Sequence, residues 1–435
     1  MAAQNREIRG TESRLEAVLD FCVGLGKEMI ASGANLERVS LAVERVCHTY
    51  RLTDVSLNLL STSISMSARD AKGSYAARQA SIPPAAIHLT RLKQLNRASY
   101  KAALEKPSPS GLSAILSEAI AVRKAPDWVI LAARVCAMAC LCLIFGGGWR
   151  EVLPVAIVTV LMHYTMALLA RPSLNRIVTS AVTMFIATAA ALLLMSLGLS
   201  RNGTVILITV SMLVLPGIPL VNAARNLLCG NEMNGILQML KATIETAALA
   251  MGIYLAIILL NPSFPTGGVV TDALSDPVLL VLISFFASVC FGVVFHVEGK
   301  DLWLAGIGGA LSRIALLLLT PVLSSRMAYM TFAALIAAIY SEILATSRKD
   351  PSTYFIYPAI IPLIPGDLFY YCLEGLYAGE WELFRDNGFN CLLALAGMSI
   401  GFVLSSIIAH YTRKLRFRRQ TEKRILGGNL YRKSK

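Results

Sequence analysis

Ten apolar stretches dominate the chain from Trp128 onward: about 128–145, 152–170, 177–199, 204–222, 242–260, 278–296, 302–320, 327–346, 356–373 and 390–410. Most approach the roughly 20 residues that a helix needs to cross a hydrocarbon core. They are apolar on every face, unlike the striped helices of a water-soluble core. Inside lipid a backbone must meet its own hydrogen bonds, so stretches like these must be helices. The expected class is therefore mostly α, a polytopic membrane protein with about ten transmembrane helices. Composition agrees: 55% of the residues are hydrophobic and 15% charged, against about 25% charged in a soluble domain.

Residues 1–124 read differently, as a small soluble α/β domain. Leu15, Val18, Leu19, Cys22, Leu25 and Met29 recur at helical spacing. Ser32-Gly33-Ala34-Asn35 interrupts them, and a second helix follows from Leu36. From Val55 to Met66 the pattern partly alternates and is rich in Ser, Thr and β-branched residues, which predicts strands, with a turn at Asp70–Gly73 and a third strand from Ser74. Residues 86–104 and 111–123 read as helices. The expected divisions are 1–124, a first five-helix module at 125–261, a second at 276–410, and a basic tail at 411–435.

The net charge of +13 is uneven. Residues 1–124 hold 17 Lys/Arg and 11 Asp/Glu, residues 125–410 hold 13 and 15, and residues 411–435 hold 10 and 1. Basic charge flanking apolar spans is the positive-inside pattern rather than a nucleic-acid footprint. With the N-terminus inside, the inner loops carry Arg171, Arg176, Arg225, Lys241, Lys300, Arg348 and Lys349. The outer loops are poorer in basic residues, with none at 262–277. The expectation is an inner-membrane protein with both termini in the cytoplasm. The tail from Arg413 to Arg419 would lie against an anionic leaflet.

Two spans share an unusual pattern. Val214-Leu215-Pro216-Gly217 precedes Leu227 and Gly230, and Leu363-Ile364-Pro365-Gly366 precedes Leu376 and Gly379, each match 149 positions apart. Asp127 meets Asp276 under the same shift. Five spans per half would make the halves a 5+5 inverted repeat, because an odd number reverses orientation. A proline inside a membrane helix removes a backbone hydrogen bond, and lipid does not tolerate the freed groups unless protein, water or a ligand covers them. Interrupted helices at matched positions of two inverted halves point to a translocation site. The candidate substrate-contacting residues are Pro216, Gly217, Pro219, Asn222, Arg225, Asn226, Pro365 and Gly366. Arg225 suits a carboxylate through its planar fork, and equally suits an inner-side marker. Asp367, Glu374 and His163 are ionisable groups within apolar spans, where such groups are rare and usually functional. They are the candidate proton carriers.

Other chemistries find little footing. Cys136, Cys140 and Cys142 share one apolar span with no His or acidic partner nearby, so no metal site is expected. No G-x-x-x-x-G-K-[ST] loop is present, and no cofactor is expected. Cys47-His48 lies on a predicted helix, where adjacent side chains point about 100° apart, so no nucleophile pair and no enzyme activity is expected.

The chain resembles the threonine/serine exporter family. The resemblance rests on Ser32-Gly33-Ala34 with Arg38-Val39, on Phe145-Gly146-Gly147-Gly148-Trp149, and on Leu215-Pro216-Gly217-Ile218-Pro219 followed by Asn222-Ala223, Arg225-Asn226-Leu227, Gly230-Asn231 and Gly235. Pro365-Gly366 and Gly379 resemble the family's C-terminal module. The resemblance implies about ten helices after a hydrophilic domain, and proton-motive-force-dependent export of threonine and serine. Similar two-chain systems are associated with succinate. Asn231 stands where many members have Asp, so the resemblance carries no charge-based role to that position. The expected partners are a small-molecule substrate (threonine, serine or a small carboxylate), protons and the lipid bilayer, with no nucleic acid, and a second copy of the chain is compatible with this reading. The alternatives are a dicarboxylate exporter and a membrane-anchored sensor or scaffold.

Overall fold

The computed structural model describes the backbone of residues 2–84, 86–170, 175–200, 202–261 and 276–433, and the side chains of these residues between 14 and 412. Arg171, the 262–275 segment and the side chains of the basic tail, all used above to orient the chain, lie outside the described residues.

The N-terminal portion follows its pattern closely. Helices α1 (Ala2–Ala31) and α2 (Leu36–Thr49) precede three strands, β1 (Thr53–Leu59), β2 (Ser63–Arg69) and β3 (Tyr75–Ser81), and then α3 (Leu89–Glu105) and α4 (Pro109–Ile120). The strands form an antiparallel sheet in the order β1-β2-β3. β2 is central, and its alternation places Ile64, Met66 and Ala68 inward, where α1 covers them. Asn35 caps α2, its side chain accepting from the Arg38 N–H.

Twelve further α-helices follow among the described residues: α5 (Asp127–Ile144), α6 (Trp149–Leu169), α7 (Arg176–Ser196), α8 (Gly203–Ser211), α9 (Gly217–Leu228), α10 (Glu232–Leu260), α11 (Pro277–Val294), α12 (Leu302–Leu319), α13 (Arg326–Arg348), α14 (Thr353–Ala359), α15 (Gly366–Ala378) and α16 (Trp381–Lys433). Among the described residues eight are long and apolar enough to cross a membrane: α5, α6, α7, α10, α11, α12 with the short 3-10 turn before it, α13, and α16 over Trp381–Thr412. The fourth and ninth apolar stretches are not single helices. Each is divided at its proline, into α8 and α9 in one case and α14 and α15 in the other.

The two breaks have the same backbone. Pro216 has φ −78° and ψ 52°, and Pro365 has φ −79° and ψ 66°. The Gly217 N–H donates to Leu215 O at 2.9 Å, and the Gly366 N–H to Ile364 O at 2.8 Å. The Leu220 N–H then returns to Pro216 O, and the Phe369 N–H to Pro365 O. The breaks also touch. A Cβ at Gly217 would come within 3.0 Å of Ile364 Cγ2, and one at Gly366 would overlap the Met212 side chain. Only glycine leaves room for each break to pack on the residues preceding the other.

The N-terminal unit and the membrane helices share one core. Leu89, Leu92 and Leu95 of α3 belong to the same buried cluster as Tyr354, Phe355, Ala337 and Ala338. The Leu89 and Thr90 N–H groups donate to the carbonyls of Phe295 and His296.

Candidate functional site

A cavity of about 680 Å³ lies between the N-terminal unit and the membrane helices, lined by α5, α6, α7, α9 and α10 and also by the end of α11, by Tyr357 of α14 and by Ile361 and Ile364 before the second break. Its lining includes the whole first break, Met212 to Pro219, with Asn222 and Asn226 on the next turns of α9. Glycine at 217 opens the backbone to this space, and α9 begins there, directing the positive end of its dipole toward it. Gly33, Ala34 and Asn35 form part of the opposite wall, with Pro83 and Pro84.

Asn222 and Tyr357 tie these walls together. The Asn222 Nδ2 donates to the Tyr357 hydroxyl at 2.9 Å, and that hydroxyl donates to Gly33 O at 2.8 Å. Tyr357 is buried, with 3% exposed. Asn226 Nδ2 donates to Gln238 Oε1 at 2.9 Å. Five of the eight predicted contact residues therefore line one cavity: Pro216, Gly217, Pro219, Asn222 and Asn226. Pro365 and Gly366 are buried behind it, against Met212 and Phe145. Arg225 is absent from the lining. It reaches Glu37 at 3.3 Å and Ser406 Oγ at 3.0 Å, joining α9 to α2 and to α16.

The three ionisable candidates are not gathered together. Asp367 is half-buried at the start of α15, within electrostatic range of Arg313. Glu374, two turns later, is fully buried, with Tyr370 and Tyr377 as electrostatic neighbours. His163 of α6 meets Arg134 of α5, with the guanidinium Nη1 at 3.0 Å from the ring Nδ1. Arg134 lines the cavity, as do Arg176, Lys241 and Glu245. Arg176 and Glu245 pair at 3.4 Å. Sequence reading passed over Arg134. Its only signal was a permanent cation within an apolar span.

A second charged centre went unforeseen. Lys93 of α3 is 1% exposed, and its ammonium contacts Asp301 at 2.9 Å, Asp350 at 3.1 Å and Glu298 at 3.2 Å. Arg348 pairs with Asp301, Arg97 with Asp350 at 3.0 Å, and the Tyr354 hydroxyl donates to Asp301 at 3.0 Å. Burial alone would lower the Lys93 pKa, but the carboxylates prevail and hold it above its usual value. Beside this centre the rings of His88 and His296 stack at 4.3 Å between centroids. Burial, the facing His296 and Arg91 depress His88 from 6.5 to about 4. His88 is thus neutral, and its Nδ1 accepts from the Arg91 N–H to cap α3.

Eight apolar helices and two broken helices packed at their breaks, one of them opening on a cavity, make a multi-pass membrane protein, and its family is one of transporters. The chain belongs to the threonine/serine exporter family: one family model, threonine/serine exporter, matches residues 20–260, and a second, Threonine/Serine exporter, ThrE, matches residues 280–408. It is also similar to two proteins named "Probable succinate transporter subunit YjjP". The one from Escherichia coli strain K12 is 29% identical over 133 residues, 30% of this chain and 52% of that protein. The one from Klebsiella aerogenes is 26% identical over 132 residues, 30% of this chain and 51% of that protein. The chain spans about half the length of these curated relatives. No solved structure matches.

Proposed function

We propose that this protein is a secondary-active exporter of threonine, serine or a related small hydrophilic metabolite, driven by proton antiport across the inner membrane. The observation that carries this reading is the duplicated Pro-Gly break with the cavity opening on the first copy. In this reading α5–α10 and α11–α16 are inverted halves of five spans each, every broken pair counting as one. The termini and residues 1–124 face the cytoplasm. Support for that side comes from Lys93, which binds the loops holding Asp301 and Asp350 next to the basic markers Lys300, Arg348 and Lys349. The cavity is then the cytoplasmic-facing vestibule. Substrate reaches the open backbone at Gly217, the amides of Asn222 and Asn226, and the positive end of α9. Pro365 and Gly366 brace the first break from behind. Arg225 is assigned the support of α9 rather than direct substrate contact. Asp367 is the proposed proton carrier, with Glu374 and His163 as further sites for protons.

Everted vesicles containing the protein should accumulate labelled threonine when a proton gradient is imposed. Absence of gradient-driven uptake for both amino acids and dicarboxylates rejects the exporter reading. Asp367→Asn should abolish gradient-driven uptake while leaving substrate exchange measurable; undiminished coupling removes Asp367 from its role. A dicarboxylate cargo is the second reading. It is favoured by the cavity's charge, three cations (Arg134, Arg176, Lys241) against the single carboxylate of Glu245, and by the succinate in the relatives' names. Competition of succinate against labelled threonine separates the two cargoes.

A further inference from the structure

We propose that Arg134 is the carboxylate anchor of this cavity, held in place by His163. The inference rests on the cavity being the substrate site, and it deepens that reading. Arg134 sits in α5, one of the apolar spans. A guanidinium stays protonated at any physiological pH and offers five N–H donors with no acceptor. In an apolar span such a cation is costly unless it is paired or serves a ligand. Among the described residues no carboxylate forms an ion pair with Arg134; the exposed Asp127, two turns earlier, acts on it only at longer range. Its hydrogen bond runs to a neutral acceptor. Arginine can only donate, so the His163 Nδ1 that it meets at 3.0 Å must be unprotonated, with the proton on Nε2. The Arg134 Nε is buried and makes no hydrogen bond to the described residues.

The neighbouring cations differ. Arg176 is neutralised by Glu245 at 3.4 Å, and Lys241 is exposed. Arg134 is therefore the lining cation that is drawn out of solvent without an ion pair among the described residues, whereas Lys241, likewise unpaired there, is exposed to water. His296 lines the same cavity, its Nδ1 is buried without a hydrogen bond, and Arg134 acts on it electrostatically. A planar carboxylate matches the fork of a guanidinium, and it would compensate the cation where water is scarce. The ligand class is thus a small solute with at least one free carboxylate, whether an amino acid or a dicarboxylate.

The test uses the purified full chain in detergent, with thermal stabilisation read against titrations of threonine, succinate, threoninamide and succinamide. The carboxylates should stabilise the wild type and the amides should not. Arg134→Gln should weaken carboxylate binding at least tenfold. Arg134→Lys keeps the cation and so the fold, but loses the fork, and should weaken it about tenfold. Equal apparent Kd in the wild type and Arg134→Lys overturns the assignment, as does a wild type stabilised by no carboxylate. In proteoliposomes, carboxylate binding without gradient-driven transport rejects the exporter reading and leaves the anchor standing. Transport with an unchanged KM in both variants rejects the anchor alone.

Discussion

The Tyr357 hydroxyl links Asn222, on the turn after the first break, to the Gly33 carbonyl of the N-terminal unit. It both donates and accepts in a buried place. Tyr357→Phe strips a partner from Asn222 and from Gly33 while keeping the ring. A buried polar group left unsatisfied costs about 1–3 kcal/mol. The variant should melt at lower temperature than the wild type in detergent, and an unchanged midpoint would mean that water replaces the hydroxyl. His88 gives a pH signature. Its folded pKa, about 4, lies below its ordinary 6.5, so the unfolded chain binds the proton first. Its contribution is complete above pH 6.5 and is lost as pH falls toward 4, amounting to no more than about 3 kcal/mol. His296 across the stack, Arg91, Lys124 and Arg134 all oppose a charge in this region. His88→Asn keeps a side-chain acceptor for the Arg91 N–H but cannot titrate. The melting midpoint of the wild type should therefore fall more steeply than that of His88→Asn between pH 6.5 and 4; parallel curves would exclude the role.

At the level of elements, the two broken helices pack against each other at their breaks. Replacing Gly217 by Val sets branched carbons where Ile364 already comes within 3.0 Å of a Cβ. Overpacking of this kind costs about 1–3 kcal/mol, and here the strain falls on the break itself. Gly217→Val should insert normally and lose at least tenfold in transport rate, measured as initial uptake per inserted protein. Retained transport would show that the breaks need not touch. The breaks were legible in the sequence because proline and glycine act on their own backbone. So were the long helices, whose apolar character is local, and the sheet, through its alternation. Long-range pairings were not legible. Arg225 and Arg134 are both cations near apolar spans, and only the packing of α2 and α16 takes the first to Glu37 and Ser406 while α6 turns the second into the cavity. Lys93 read as one more polar residue on a mixed helix, because its three carboxylates lie more than 200 positions away.

On the scale of the molecule, the proposed inverted halves make a claim about sidedness. A tag placed within 262–277 should be reached from outside and one within 348–353 only after permeabilisation. Accessibility from the same side would undo the inverted arrangement. The two family models divide between residues 260 and 280, and the Lys93 centre straddles the division: the lysine and Arg97 come from one portion, and Glu298, Asp301, Arg348 and Asp350 from the other. Removing one member of a buried ionic cluster costs about 3–5 kcal/mol. Separately expressed fragments 1–261 and 276–435 should therefore find each other in the membrane and copurify, and Lys93→Met should abolish the recovery. A covalent link between the two portions would then be a convenience of synthesis, and their recognition would be written in one buried ammonium and the acids that await it.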